Sequence, residues 1–502
     1  MSETQTHAEA GTEHEEAAAA AQRNAGRSTT PTSSRFVEHV QQGWAEREEV
    51  LPAPRAAASE AAARRAALSA LHPGTRIVVP AGPRKQRSND TDYAYRAAPD
   101  FAILTGWGAD AEPDAVLVLE PRGDAHEATL YFRQPAGRDT TEFFANAEIG
   151  EFWIGARPSL AHVAADLGLA TRDLADVGAV LDDASVPVLV TTEGDPAIVA
   201  RLGERANVSA EGVDVAGRDL AELRLVKSAW EVDELQRAVD ATQDGFEDVI
   251  RDLSAARAHP RGERVVEGTF HRRARIDGNA VGYDTIAASG SHACILHWTR
   301  NDGAVRDGDL ILLDAGVEVD SLYTADITRT LPISGTFSPV QRKVYEAVLE
   351  AADAAFAIAR PGIVFKEIHA AAMEVIARRT AEWGLLPMTA EESLQPENQL
   401  HRRWMVHGTS HHLGLDVHDC AQARRELYHD GIVEEGMVFT IEPGLYFQPD
   451  DLTVPEELRG IGVRIEDDVV VTADGVRNLS AGIPRTVDEV EAWMASLAGD
   501  AR

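Results

Sequence analysis

Helix-like periodicity dominates the second half of the chain, where buried-face positions recur every three or four residues over long stretches. The clearest stretch begins with Ser228 and Glu231, whose spacing is that of a capping box. A second helix is predicted to begin after Ser338, a capping residue followed by Pro339, and to stop at residues 361–362. The face predicted to be buried in the first helix consists of Leu235, Val239, Thr242, Phe246, Val249 and Leu253.

The first half of the chain alternates short apolar, strand-like runs with helical ones. Strands are predicted at 76–79, 115–119, 129–132 and 188–191, and helices at 34–49, 56–71, 160–167 and 198–204. This alternation predicts an α/β domain over 34–217. Over 218–502 helices and strands both occur without regular alternation, which indicates an α+β domain. Residues 1–33, rich in Ala, Glu, Thr and Ser, are predicted to form a disordered leader.

Two aspartates mark a pair of neighbouring strand-like runs. The apolar run 310–313 ends on Asp314 and turns through Gly316, and a second run carries Asp326. On adjacent strands the two carboxylates would repel each other and lose hydration, a conflict that a shared cation removes. The alternative interpretation is that one aspartate closes a turn and the other pairs with Arg329.

Histidines are unusually dense in the glycine-interrupted segment 405–419, which contains His407, His411, His412 and His418. The spacing of His407 and His411 is that of a zinc-protease helix, but Gly408 stands where that motif requires glutamate. A protease of that class is therefore not expected. His412, next to the glycine-rich break, is interpreted as a structural histidine.

Two glutamates stand at strand positions where a carboxylate is costly to bury. Glu442 ends the apolar run 438–441, and Glu466 lies within the β-branched run 461–471, with Arg464 on the same face as a candidate ion-pair partner. For either glutamate alone, an ion pair or an exposed sheet edge explains the position as well as a metal ligand does. Taken together, four carboxylates and a histidine cluster favour Mn²⁺, Co²⁺ or Fe²⁺, and four carboxylates suit two cations.

Composition narrows the class of protein. The chain has 82 acidic and 48 basic residues, a net charge of −34 that repels nucleic acid and anionic membranes, so neither is expected as a partner. The leader contains no apolar run long enough for a signal peptide or a membrane span, which predicts a cytoplasmic protein. Cys294 and Cys420 show no CxxC spacing, so no disulfide framework is expected.

The chemistry-bearing motifs of the second half of the chain are 283–286, 294–297, 314–316, 326–330, 405–419, 442–446 and 464–468. In this order they closely resemble those of the pita-bread metallopeptidases, and among them the aminopeptidase P (Xaa-Pro aminopeptidase) family. The resemblance covers about 222–486. It implies an α+β, pita-bread (creatinase/aminopeptidase-like) catalytic domain preceded by an α/β creatinase/prolidase-type N-terminal domain. In that first domain Tyr95, Arg96 and 100–106 carry the likeness, whereas Pro99, Ala102 and Ile103 depart from it.

The resemblance also implies a site. It implies two divalent cations, with Mn²⁺ expected and Co²⁺, Fe²⁺ or Zn²⁺ as alternatives. It also implies that Asp326 and Glu466 are bridging ligands. The implied metal ligands are Asp314, Asp326, His411, Glu442 and Glu466. The implied substrate-binding residues are Tyr283, His297, His407, His418 and Arg464, and the implied catalytic residues are His297, His407, His418 and Glu442.

The implied reaction is hydrolysis of the N-terminal Xaa-Pro bond of a peptide by a hydroxide that bridges the two metals. A prolidase, which uses the same site on dipeptides, is the nearest alternative, although segment 411–419 is more similar to the aminopeptidase P version. A catalytically inactive pita-bread protein that acts as a binding module is the alternative from another class. A homodimer or homotetramer is expected.

Overall fold

A computed structural model of the chain describes residues 30–89, 91–206 and 214–498. Contacts divide the chain into two compact units, Met1–Ala53 with Arg133–Asp166, and Pro54–Phe132 with Leu167–Arg502. Most of the predicted leader lies outside the described residues, and the domain limits at 33/34 and 217/218 stay predictions. Among the described helices, none combines the length and the apolar character needed to cross a bilayer.

Helices and strands alternate along the first part of the chain, as the sequence pattern predicts. The first helix is shorter than predicted: the backbone is already extended at Gln42, with φ −110° and ψ 159°, and Gly43 follows in the left-handed conformation with φ 81°. In order, the elements are α1 (Ser34–Gln41), α2 (Ala57–Leu71), β1 (Arg76–Pro80), β2 (Gln86–Ser88), β3 (Thr91–Asp92), α3 (Pro99–Thr105), β4 (Val116–Arg122), β5 (Ala125–Phe132), α4 (Glu142–Ala145), α5 (Glu151–Ile154), α6 (Leu160–Leu167), β6 (Ala170–Asp173), α7 (Val177–Asp182), β7 (Val188–Val190), α8 (Pro196–Leu202) and α9 (Val215–Arg224).

Five of these strands form one mixed sheet in the order β6-β5-β4-β1-β7. Strand β1 pairs antiparallel with β4 and parallel with β7, and all five of its residues are buried. A strand covered on both faces is largely apolar, which explains why 77–79 is a continuous apolar run rather than an alternating one. The buried Arg76 at its start pairs with Glu120 and Asp183. The four predicted strands all occur, most of them extended by a few residues.

The second part of the chain contains the longest helices and several small sheets. Ser228 and Ser338 both cap helices through capping boxes, and the six predicted face positions of the first helix are buried. In order, the elements are α10 (Ala229–Ala258), α11 (Gly262–Asp277), β8 (Ala280–Val281), β9 (Ile286–Ser289), β10 (Leu310–Ala315), β11 (Val317–Glu318), β12 (Ile327–Pro332), α12 (Pro339–Ile358), α13 (Lys366–Glu382), α14 (Ala390–Ser393), β13 (Val438–Ile441), β14 (Gly444–Tyr446), β15 (Gly462–Arg464), β16 (Asp467–Thr472), β17 (Gly475–Asn478) and α15 (Val487–Ala498).

The strands that carry the candidate ligands belong to two three-stranded sheets, β12-β10-β9 and β13-β16-β17. Strands β10 and β12 are antiparallel neighbours, with Asp314 opposite Thr328, so the predicted pairing is confirmed. The turn predicted at Gly316 is wrong, because the chain continues into β11, which pairs with β8. Gly316 is needed for close approach instead, since a Cβ there would collide with the Ala325 carbonyl oxygen.

Candidate metal centre and active site

The candidate ligands come together at strand ends. Asp314 lies near the end of β10, Asp326 directly precedes β12, and Glu442 directly follows β13. Glu466 lies in the break between β15 and β16, where its backbone N–H donates to the Thr328 carbonyl oxygen at 3.1 Å. The His411 loop runs beside β13, because the Thr440 N–H donates to the His411 carbonyl oxygen at 2.9 Å.

The ligand atoms are close to one another. The Tyr283 hydroxyl lies 2.7 Å from Asp314 Oδ1 and 2.5 Å from Asp326 Oδ1. His411 Nε2 is 3.2 Å from Asp326 Oδ2, 3.7 Å from Glu442 Oε1 and 4.0 Å from Glu466 Oε1. Asp326, His411 and Glu466 each offer a ligand atom within 4.8 Å of the other two. The structure therefore gathers the five predicted ligands into one cluster.

The cluster concentrates negative charge in a buried place. Burial, together with the charges of Asp326 and the other carboxylates, raises the pKa of Glu466 well above its usual value. Burial also raises the pKa of Glu442 to about 8 and raises the pKa of Asp314, although Arg464 opposes both shifts. Carboxylates that resist ionisation together fit a divalent cation, because its charge offsets their repulsion. Oxygen donors with one imidazole are a suitable set for such ions.

His411 is electrostatically tied to the carboxylates around it. Burial by itself lowers the pKa of this imidazole, but the hydrogen bond to Asp326 and the charge of Glu442 outweigh burial and raise it to about 9. Its Nδ1 atom lies 3.2 Å from the His412 carbonyl oxygen, which leaves Nε2 directed at the cluster. Without a cation, the protonated imidazolium therefore offsets part of the negative charge of the carboxylates.

Arg464 is paired differently from the sequence-based interpretation. Its buried guanidinium binds Asp314 Oδ2 and donates to the Tyr446 hydroxyl at 3.1 Å. Glu466, the partner considered from the sequence, accepts instead from Thr328 Oγ1 at 2.7 Å. The strand break at 465–466 is the reason, since two residues apart share a face only while a strand continues.

Arg329 does not pair with either of the two aspartates suggested by the alternative interpretation. Its guanidinium donates to Asp467 Oδ1 at 2.7 Å, and both side chains are fully buried. It also donates to the Glu466 carbonyl oxygen at 2.6 Å, so it braces the backbone beside a candidate ligand. Arg329 therefore does not compete with the ligand cluster for Asp314 or Asp326.

Two predicted substrate histidines lie at the exposed side of the cluster. The rings of His418 and His411 are 4.3 Å apart between centroids. Burial, together with the charges of His411 and His297, influences His418 and lowers its pKa. Among the described residues, neither His297 nor His418 hydrogen-bonds to protein through its ring. Both imidazoles are therefore available to another molecule.

His407 is engaged inside the protein. Its Nε2 lies 2.7 Å from the Tyr446 hydroxyl and its Nδ1 lies 2.5 Å from the Gly408 carbonyl oxygen. Burial and the charge of Arg464 lower its pKa to about 3, so the ring is neutral. Nδ1–H then donates to Gly408 and Nε2 accepts from Tyr446. Tyr446 links His407 to Arg464. It is the last residue of the motif 442–446, but the sequence does not predict this role.

His412 lies away from the cluster. Its side chain is fully buried, and its ring stacks on Phe365 at 4.6 Å between centroids and meets Tyr428 edge-on at 4.7 Å. Burial lowers its pKa to about 3. These contacts agree with the structural role predicted for it.

Comparisons with known proteins match this arrangement over most of the chain. Residues 233–473 match the profile of metallopeptidase family M24, and residues 61–186 match that of the aminopeptidase P N-terminal domain. The chain is 53% identical over 467 residues to Xaa-Pro aminopeptidase 1 of Streptomyces coelicolor, covering 93% of each chain. It is 34% identical over 458 residues to the Xaa-Pro aminopeptidase of Escherichia coli, covering 86% of this chain and 96% of that one.

Solved structures of aminopeptidases match the fold over most of the chain. Aminopeptidase PepP of Pseudomonas aeruginosa superposes with a TM-score of 0.76 at 34% identity, covering 88% of this chain and 99% of that one. Zinc-substituted aminopeptidase P of Escherichia coli in complex with product gives 0.75 at 32% identity, covering 88% and 98%. The predicted pita-bread catalytic domain and creatinase/prolidase-type N-terminal domain are thereby confirmed. The chain belongs to the Xaa-Pro aminopeptidases of metallopeptidase family M24, and it is a metal-dependent peptidase.

Proposed function

We propose that this chain removes the first residue of peptides whose second residue is proline, with two divalent cations at the cluster. The observation that carries the proposal is the convergence of the five donors, three of which offer ligand atoms within 4.8 Å of one another. The oxygen-rich donor set favours Mn²⁺, with Co²⁺, Fe²⁺ and Zn²⁺ as alternatives. In this proposal the residues that would hold the cations are Asp314, Asp326, His411, Glu442 and Glu466.

Divalent cations held by these residues would supply two effects: they would lower the pKa of a bound water molecule towards neutrality and would polarise the scissile carbonyl. The protein's own contribution is to fix the donors. The Tyr283 hydroxyl lies within hydrogen-bond distance of one oxygen of Asp314 and one of Asp326, and Arg464 donates to the other oxygen of Asp314. Because each of these partners is itself packed, the carboxylates keep one orientation, which a preorganised site requires.

Proton transfer falls to Glu442 in this proposal. Hydrolysis adds water across the bond: oxygen joins the carbonyl carbon, the C–N bond breaks, and the prolyl nitrogen must gain a proton. That nitrogen belongs to a tertiary amide and has no N–H of its own. Glu442 is only partly buried, and its Oε2 lies 3.5 Å from His407 Nδ1, at the accessible side of the cluster. It can therefore take a proton from the attacking water and pass it to the leaving nitrogen.

The histidines are assigned to the substrate. His297 and His418, whose ring nitrogens are available, are proposed to donate to the substrate carbonyl or to the negative charge that develops on its oxygen. Both nitrogens of His407 are occupied, so it is proposed to contact the prolyl side with its ring rather than by a hydrogen bond. Arg464 is proposed to support substrate binding indirectly, through its contacts with Asp314 and Tyr446.

Peptide length is the test that separates this function from its rivals. Purified protein is stripped of metal, reloaded with Mn²⁺ and given Ala-Pro, Ala-Pro-Pro and the control Ala-Ala-Ala, and released alanine is measured. We expect cleavage of Ala-Pro-Pro and no cleavage of Ala-Ala-Ala. Cleavage of Ala-Pro alone would identify a prolidase, and no cleavage at full metal content would identify a binding module. The cytoplasmic location and the homo-oligomer stay predictions.

A further inference from the structure

Glu263, in the first turn of α11, is a fully buried carboxylate outside the metal cluster. Its Oε1 accepts from the Ser289 N–H at 2.8 Å and from His292 Nδ1 at 2.7 Å. Its Oε2 accepts from Trp298 Nε1 at 2.9 Å and from the Gly303 N–H at 2.6 Å. Among the described residues no lysine or arginine pairs with it, so the carboxylate is held by these four donors alone.

All four donors belong to one segment, residues 289–303, which leaves the end of β9 and carries His297. They are spread along it, with His292 and Trp298 on either side of His297. Near its middle the segment is also held by Gln448, whose Nε2 donates to the Cys294 carbonyl oxygen at 2.7 Å. Glu263 therefore holds together positions along segment 289–303 that do not lie on a common strand.

The packing around the carboxylate leaves it little freedom. The Trp298 and His292 rings stack at 3.9 Å between centroids, so these two donors support each other. A Cβ at Gly303 would lie 2.7 Å from Glu263 Oε2, closer than real Cβ contacts allow, so any larger residue there would displace the carboxylate or its neighbours. The carboxylate thus fits against its donors on both sides.

The exposed part of the segment lacks comparable support. Ile295 is 44% exposed, His297 is exposed, and the His297 ring makes no hydrogen bond to a described residue. The position of His297 therefore depends on how the part of the segment that binds Glu263 is fixed. A buried carboxylate satisfied by several N–H donors is costly to disturb, so Glu263 fixes this part of the segment firmly.

We propose that Glu263 is a positioning residue for the peptidase reaction. Its carboxylate holds segment 289–303 so that His297 lies at the substrate. The inference rests on the proposed function, because it needs His297 to contact the substrate. Glutamine is the informative replacement: it keeps the volume but has one acceptor oxygen, and its amide would meet N–H donors with another N–H. A displacement of His297 of about 1 Å is sufficient to lower the rate about a hundredfold.

A double-mutant cycle tests the proposal. Glu263→Gln, His297→Ala and the double variant are loaded with Mn²⁺ and compared for kcat and KM on Ala-Pro-Pro, with metal content measured alongside. We expect Glu263→Gln to lower kcat/KM by about tenfold to a hundredfold at normal metal content. In the His297→Ala background the same change should cost almost nothing further, because residues that act as a unit are not additive.

Two further variants serve as controls. Trp298→Phe keeps the ring stack and removes one donor, so it should give a smaller loss with the same dependence on His297. Glu231→Gln replaces another buried carboxylate, one that accepts from the Ser228 N–H, the Tyr323 hydroxyl and the Arg64 guanidinium and lies outside the segment. It should lower the melting temperature, and any effect on kcat/KM should multiply with that of His297→Ala.

Losses for Glu263→Gln and Trp298→Phe that are the same in both backgrounds would overturn the proposal and leave Glu263 a purely structural role. If Glu263→Gln does not fold, the Trp298→Phe cycle decides by the same criterion. Full activity of His297→Ala alone would remove His297 from the mechanism and the positioning role with it. Failure of the parent protein to cleave Ala-Pro-Pro would instead contradict the proposed function itself.

Discussion

Tyr283 shows how one residue organises the ligand cluster. Its hydroxyl contacts one oxygen of Asp314 and one of Asp326, and burial together with these charges raises its pKa well above the usual value. A neutral hydroxyl has a single proton to donate, so it cannot satisfy both carboxylates at once. The unmet part of the negative charge is what a cation would balance.

Glu466→Gln is expected to reduce metal content and turnover together. The amide keeps the volume of the side chain but loses the charge with which a carboxylate can bridge two cations. Elemental analysis and the rate of Ala-Pro-Pro cleavage measure the two effects, with the exposed Glu457→Gln as control. Full metal content with normal turnover in Glu466→Gln would remove this residue from the site.

His418→Ala is expected to lower kcat while leaving metal content near normal, because its imidazole is available to the substrate and contacts His411 only by its ring. Loss of one donor to a developing oxyanion costs on the order of 10²–10³ in kcat. His412→Ala is the matched control: it should cost stability, since the buried ring packs on Phe365, and far less activity. An inactive His412 variant beside a normal His418 variant would show that the histidine segment is assigned incorrectly.

At the scale of elements, helix α10 provides the support for the catalytic half. Its first turn is fixed by the capping box, in which the Glu231 N–H donates to Ser228 Oγ at 3.3 Å and the Ser228 N–H donates to Glu231 Oε2 at 2.7 Å. Further along, Phe246 packs edge-on against Phe270 of α11, with ring centroids 6.0 Å apart. The helix that carries Glu263 is thus anchored on α10.

Ser228→Ala is expected to lower the free energy of unfolding by about 0.5–2 kcal/mol, the usual cost of removing an N-cap. Urea denaturation followed by circular dichroism measures the change. Ser254→Ala, at an exposed position within the same helix, is the control and should be neutral or slightly stabilising, because alanine favours helix interiors. Neither variant should alter kcat. Equal stabilities for the two variants would show that the cap is energetically unimportant.

At the scale of the molecule, a buried charge network joins the first part of the chain to the histidine segment. Arg224, at the end of α9, lies 3.4 Å from Asp100 and 3.0 Å from Asp416, and it also binds Asp419. Lys227 Nζ lies 3.0 Å from Asp419 Oδ2. Asp419 directly follows His418, so residues far apart in sequence fix the loop that carries the candidate histidines.

Chelation is expected to abolish peptide cleavage while leaving the secondary structure intact. The long helices begin at their own caps and bury their own apolar faces, so their folding does not require the metal. Far-UV circular dichroism before and after chelation measures the fold, and added Mn²⁺ should restore cleavage. Global unfolding on chelation would indicate a structural role for the metal instead.

Asp100 gives the network a dependence on pH. Burial raises its pKa to about 7, although the charge of Arg224 opposes the shift. Because the folded state then binds this proton more tightly than the unfolded state does, the residue's contribution to stability falls as pH rises from about 4 to about 7. Asp100→Asn should remove that loss, so its melting temperature relative to the parent should increase from about pH 5 to about pH 8.

Asp110→Asn is the matched control for this prediction. Burial raises the pKa of Asp110, but the hydrogen bond and the charge of Arg55 outweigh burial and lower it. The carboxylate is therefore ionised in both states over the same pH interval, and the difference from the parent should stay constant. A constant difference for Asp100→Asn as well would contradict the raised pKa.

Local chemistry determined much of this protein. The starts of α10 and α12 follow from caps a few residues long, and the strands of the first sheet follow from short apolar runs. The sequence does not predict helices α11 and α13, because no side chain caps them and the usual starting signal is therefore absent. The candidate ligands were found because each motif keeps its own residues in a recognisable order.

The partners of those residues were decided only by the tertiary structure. Arg464 pairs with Asp314, far away in sequence, because the chain breaks between β15 and β16. Gly316 is required by the close approach of the Ala325 carbonyl, and Glu263 is matched to a distant segment. Such pairings depend on how strands and loops from separate parts of the chain come together, whereas caps and periodicity depend on neighbours along it.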